Sequence, residues 1–178
     1  MKLFRALSLC WLLCAALNVP AADAPSTFKV SEFTFKRPAD WEWVEVSSSM
    51  RAAQLKVNDA KSKESAEIVF FYFGPGNAGG VKANVDRWLG QFQEPREKIS
   101  AKIDETTVGK TKVTYVQAEG TYSSGMPGGP KTPLPNHALL GAIVEGGEGS
   151  VFIRLTGPMA LAKSSQAEFK KMVESGLK

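Results

Sequence analysis

The residues Gly74-Pro75-Gly76-Asn77-Ala78-Gly79 fit the pattern G-x-G-x-x-G, with a strand-like run before them and a helix-like run after. In a parallel β-α-β unit this spacing brings backbone N–H groups close to a dinucleotide pyrophosphate, with an acidic residue at the end of the second strand. The surroundings here argue against that use. The helix-like run leads into Glu94-Pro95-Arg96-Glu97-Lys98 and then into strands that read as antiparallel. Asp104 follows Gly79 by about 25 residues, but nothing places it on a parallel strand. Pro75 also removes one N–H that would face phosphate. The pattern G-x-x-x-x-G-K-[ST] fails too, because Gly80 and Val81 stand where Lys and Ser or Thr belong. The glycines are therefore read as a tight exit from a strand, where positive φ is needed. Free N–H groups at the start of the following helix, near Gly79 and Gly80, leave room for a generic anion.

Other chemistry is sparse. His137 is the sole histidine, and one histidine without cysteine does not make an ordinary zinc site. No G-x-S-x-G surrounds a serine, so an α/β-hydrolase nucleophile elbow is not indicated. The sequence calls for no catalytic residue, no metal and no cofactor. Asn84, Arg87 and Gln91 fall at i, i+3 and i+7 along one flank of the helix-like run, as a polar rim that could face a cleft. The stretch Ser123–Pro135 carries three glycines and four prolines and reads as a long loop, with Met126, Lys131 and Leu134 as a possible partner-binding tip. The candidate binding residues are Gly79, Gly80, Asn84, Arg87, Gln91, Lys131 and His137.

The elements that would position them follow from periodicity. Strands are expected at Phe28–Val30, Phe33–Phe35, Trp41–Val46 and Ala53–Val57, where apolar residues alternate with polar ones. Ile68–Phe73 is apolar on both faces, as in a central covered strand. Val81, Val85, Trp88, Leu89 and Phe92 form one helical stripe, so a helix is expected over about residues 81–93. A hairpin follows around Gly109, joining Ser100–Val108 to Lys112–Tyr122, and a second joins Leu139–Val144 to Val151–Leu155. A closing helix is expected over about 159–175. Strands in sequential antiparallel pairs, with two helices packed on them, make an α+β fold with a mostly antiparallel sheet.

The N-terminus reads as an export signal: Lys2 and Arg5, an apolar run from Ala6 to Leu17, then Ala21, Ala22 and Ala24. Cleavage is expected after Ala21 or Ala22. The division is then residues 1–22 as signal, 23–27 as linker and 28–178 as one α+β domain. The apolar run is shorter than the roughly 20 residues of a membrane span, so no span is expected after cleavage. Both cysteines, Cys10 and Cys14, fall in the signal, leaving a mature chain without thiols or disulfides. That pattern suits a bacterial periplasm or secretion. Two of the 22 basic residues, Lys2 and Arg5, also lie there, which brings the mature net charge to about +2 against 18 acidic residues. With no run of basic residues among aromatics, nucleic acid is not an expected partner. The sequence does not give the oligomeric state.

The strings "GGVKANVDRWLGQF", "LLGAIVE" and "FIRLTGP" together resemble a family of exported bacterial proteins. In element order the chain is also similar to the α+β sandwich of the PsbP-type proteins. These resemblances imply a non-enzymatic accessory or binding role, and no catalytic residue carries over from them. The expected function is an exported binding or accessory protein of the bacterial envelope, with an envelope protein or a small anionic ligand as partner. The alternatives are a small hydrolase or ligand-binding enzyme with a cleft near residues 74–91 and 123–137, and a structural envelope protein.

Overall fold

The computed structural model describes residues 24–46, 48–125 and 129–177. The export-signal reading, with Cys10 and Cys14, and the proposed tip residue Met126 lie outside the described residues.

The chain begins with a hairpin of β1 (Thr27–Val30) and β2 (Phe33–Lys36). Seven further strands form one sheet: β3 (Glu42–Trp43), β4 (Ala53–Asn58), β5 (Ser65–Tyr72), β6 (Lys102–Val108), β7 (Thr111–Ser124), β8 (Thr132–Gly146) and β9 (Gly149–Pro158). Their spatial order is β3-β4-β5-β9-β8-β7-β6, and every neighbouring pair is antiparallel. Two helices, α1 (Val81–Leu89) and α2 (Met159–Ser175), and a 3₁₀ turn at Arg96–Lys98 complete the fold. The α+β reading holds.

The alternation of the strands produces two cores, one on each face. On one face Leu55, Ile68, Phe70, Ile153 and Leu155 meet the β1–β2 hairpin and Phe169, Met172 and Val173 of α2. Phe28 and Phe35 bring their rings to 4.9 and 5.1 Å from that of Phe70, within the range of favourable aromatic contact. On the other face α1 lays Val85, Trp88 and Leu89 over Val116, Leu139, Ile143 and Phe152. Each fully buried large apolar side chain of this stripe contributes about 1.5–3 kcal/mol, so burial accounts for much of the hold on the helix.

Three expectations change in detail. The helix expected over about 81–93 ends at Leu89, because Gly90 takes the C-cap position with its N–H on Asp86. Phe92 keeps its burial by a bridge to Tyr122 instead of a helical turn. Of Trp41–Val46, only Glu42 and Trp43 pair as strand. The stretch Ser123–Pro135 is strand at both ends: Ser123 and Ser124 end β7, and Thr132–Pro135 begin β8, paired through Ser123↔Pro133 and Tyr122↔Leu134. Pro133 and Pro135 fit because β9 reaches only as far as His137↔Pro158, so this end of β8 has one open edge and needs no second donor. The antiparallel β5–β9 pairing also removes the parallel β-α-β setting, so the glycine pattern is a strand exit.

Candidate functional site

Helix α1 covers only part of its sheet face. Beyond it the same face carries the polar members of the alternating strands: Gln54 and Lys56 of β4, Glu67 of β5, Arg154 and Thr156 of β9. Their apolar neighbours point to the opposite core. The long β7–β8 hairpin walls this area, since it runs past the end of β9. A register shift between Gly120 and Tyr122, with Asn136 at φ 54°, bends the hairpin there. The result is a groove of about 380 Å³ with Glu67, Gln54 and Thr156 on the sheet and Tyr122, Leu134 and His137 on the hairpin.

Its polar groups are tied to one another. Glu67 Oε1 accepts from Arg51 Nη1 at 2.6 Å and from Gln54 Nε2 at 2.8 Å. Arg51 also donates to Gln54 Oε1 at 2.6 Å, closing a three-residue ring of bonds. Behind the hairpin wall, Gln91 Oε1 accepts from Arg154 Nη1 at 2.8 Å and from the Tyr122 hydroxyl at 3.1 Å. The Arg154 guanidinium also lies 5.7 Å from the centre of the Phe71 ring. Its Nε is buried without a hydrogen-bond partner among the described residues. Burial raises the Tyr122 hydroxyl pKa above its ordinary value; the Arg154 cation opposes this rise and the Glu67 charge adds to it. The hydroxyl therefore stays protonated and serves as a donor.

His137 Nδ1 lies 2.9 Å from the carbonyl oxygen of Pro135. A carbonyl only accepts, so Nδ1 carries the proton and Nε2 is the basic nitrogen of the neutral ring.

The residues singled out in the sequence separate into groups. His137 lines the groove, and Gln91 braces its wall through Tyr122. Lys131 is exposed in the connection between β7 and β8. Asn84 and Arg87 pair with each other instead of facing the groove: Arg87 Nη2 donates to Asn84 Oδ1. The buried Asn84 amide spans the start of α1, donating to Ala78 O at 2.9 Å and Gly80 O at 3.0 Å. Gly79 takes φ 73° in this turn and Gly80 caps the helix in an extended conformation. Gly79, Gly80, Asn84 and Arg87 thus build the strand-to-helix turn. Sequence reasoning missed Gln54, Glu67, Tyr122, Arg154 and Thr156. The available signal was the polar half of the alternation in "AQLKV", "SAEIV" and "FIRLT".

Among the described residues, no group of three or more His, Asp or Glu side chains is placed to hold a metal ion. No described helix is long and apolar enough to cross a membrane.

An antiparallel sheet between two helical layers, with a hairpin packed on one face, places the chain among α+β folds of the PsbP type. The solution structure of cyanobacterial PsbP (CyanoP) from Synechocystis sp. PCC 6803 is similar with a TM-score of 0.50. The match covers 89% of this chain and 96% of that one at 9% identity, a likeness of fold alone. Comparison with protein-family models and with curated proteins gives no match.

Proposed function

We propose that the chain is an exported, non-enzymatic binding or accessory protein of the bacterial envelope. Its working surface is the groove between the β7–β8 hairpin and the polar strands β4, β5 and β9. The observation that carries this reading is the bonded ring in which Arg51 ties together Gln54 and Glu67, the two members that line the groove floor. It fixes donors and acceptors in place before anything binds, which suits recognition because little side-chain entropy remains to be lost. The charged and short-chain neighbours Lys56, Ser65, Ser124 and Thr156 extend a mixed hydrogen-bonding surface around it. A small anionic ligand or an extended segment of an envelope protein fits such a surface. The order of residues at the N-terminus supports export, and the PsbP-type fold is compatible with an accessory role.

A thermal-shift screen of the purified protein against anions, nucleotides, sugars and peptides tests this. A ligand that raises Tm in the parent, and fails to do so in Glu67→Gln and Thr156→Val, supports the groove. A ligand whose effect survives both substitutions excludes it.

One observation favours a second reading, a small hydrolase: His137, with Nε2 as its basic nitrogen, shares the groove with Ser65 and Ser124. Turnover of an ester or amide substrate that is lost in His137→Ala would select this reading over the first.

A further inference from the structure

The seven-stranded sheet has two edges, and they are finished differently. β3 is two residues long, which blunts that edge. β6 runs for seven residues with no proline, glycine or bulge, and its register against β7 is unbroken. Every residue from Lys102 to Thr107 is exposed. The β6–β7 turn holds only Gly109 and Lys110, with Gly109 at φ 63°, the arrangement of a type II′ hairpin. Val108 and Thr111 are then the closing hydrogen-bonded pair, and alternation carries the bonded positions to Thr106, Asp104 and Lys102. The N–H and C=O groups of Ile103, Glu105 and Thr107 therefore point away from β7.

The surface is hollow on both sides of this edge. On the α1 side a groove of about 440 Å³ is lined by Val81, Val85 and Ile103. On the α2 side a groove of about 250 Å³ is lined by Tyr115, Phe169 and Lys170. Ile103 is 42% exposed, although it is a large apolar residue. A strand laid along β6 would direct its side chains alternately toward these two hollows.

We propose that the occupant is a second copy of this chain, with β6 pairing antiparallel to its own counterpart about a two-fold axis at Ile103. Such an axis sets equal residues face to face at its centre and pairs the flanking positions reciprocally. Centred on Glu105 it opposes two glutamates, and centred on Asp104 two aspartates, both unfavourable across a strand pair. Centred on Ile103, it packs Ile103 on Ile103 and sets Lys102 opposite Asp104 twice. Lys102 and Asp104 already attract within one chain, Nζ to Oδ2 at 3.1 Å, with both side chains more than half exposed. The Ile103 register shares these charges across the axis and uses the outward N–H and C=O of Ile103 for pairing. Charges on an edge commonly prevent such pairing; here their alternation of sign is complementary to itself. In this register Lys102–Asp104 of the two β6 strands face each other and join the two sheets, while Glu105–Val108 run past the start of the other copy's strand.

The test is sedimentation equilibrium of the purified protein across micromolar to millimolar concentrations. The parent is expected to dimerise. Asp104→Lys and Lys102→Asp each set like charges opposite and are expected to weaken the dimer at least about tenfold, which corresponds to roughly 1.4 kcal/mol. The double exchange, Lys102→Asp with Asp104→Lys, restores opposite charges and is expected to recover it. A parent that stays monomeric, single variants that dimerise like the parent, or a double variant that fails to recover would each overturn the proposal. Because β6 is at the far edge from the ligand groove, this outcome is independent of the proposed binding role.

Discussion

Trp88 of α1 and Gly141 of β8 are in direct contact, the indole of one resting on the bare backbone of the other. A Cβ at Gly141 would lie 2.7 Å from Cε3 of Trp88, closer than any real contact allows. The edge of the Trp88 ring also meets Phe152 at a centroid distance of 6.5 Å. This fit fixes how far α1 approaches the sheet, and so how much of that face remains open as the groove.

Gly141→Ala is therefore expected to force Trp88 out of place. Overpacking of this kind costs about 1–3 kcal/mol, while Trp88→Ala removes the ring and costs about 3–5 kcal/mol. Chemical denaturation followed by tryptophan fluorescence and circular dichroism measures both. An unchanged midpoint in Gly141→Ala would show that α1 does not rest on the sheet as described.

Gln91 joins Arg154 and Tyr122 behind the groove wall. Gln91→Leu keeps the volume but removes the shared acceptor, leaving the buried Tyr122 hydroxyl and the half-buried Arg154 guanidinium without it. A cost of about 1–3 kcal/mol is expected. Gln91→Glu keeps an acceptor oxygen and is expected to restore most of the stability. Equal losses in both variants would contradict the acceptor role.

Glu94 accepts from the backbone N–H of Thr121 through both carboxylate oxygens, at 2.9 and 2.8 Å. The Thr121 side chain first, then these backbone bonds, lower its pKa. A depressed carboxylate stabilises the fold above its unfolded value and loses that contribution as pH falls through the lower folded value. The segment from Gln91 to Ile99 is accordingly expected to loosen from β7 in acid. Hydrogen exchange at Thr121, followed as pH falls below the ordinary glutamate value, measures this. Glu94→Gln is expected to flatten the dependence.

The tyrosines give the opposite alkaline behaviour. Burial, with Glu174 adding to it, pushes the Tyr115 hydroxyl well above its ordinary value, and burial raises Tyr122 as well. A tyrosine raised in the folded state stabilises it below the unfolded value near 10, and that contribution is lost as pH rises through the folded value. Ultraviolet titration is expected to show Tyr115 and Tyr122 ionising above the ordinary tyrosine value, together with loss of structure. Ionisation of Tyr115 and Tyr122 near the ordinary value in the folded protein would contradict their burial.

Much of the fold was legible in the sequence because burial writes period into it. "AQLKV" announces a half-buried strand, and the Val81–Val85–Trp88–Leu89 stripe announces a helix lying on a sheet. Proline and glycine misled where tertiary context overrides local preference. Pro133 and Pro135 read as loop, yet they sit in β8 where one edge is open. The binding residues were harder to find. Asn84, Arg87 and Gln91 share a helical flank on paper, but Gln91 lies past the end of α1 and turns to Arg154. Glu67 and Gln54 are 13 positions apart and meet only through the β4–β5 register, which no local pattern reveals.

The groove is most directly tested by nuclear magnetic resonance mapping of a ligand or partner segment that stabilises the protein. The account predicts amide shifts concentrated at Gln54, Glu67, Tyr122, His137 and Thr156, and their loss in Glu67→Gln. Shifts confined to the turn of Gly79, Gly80 and Asn84, with the groove residues unmoved, would contradict it.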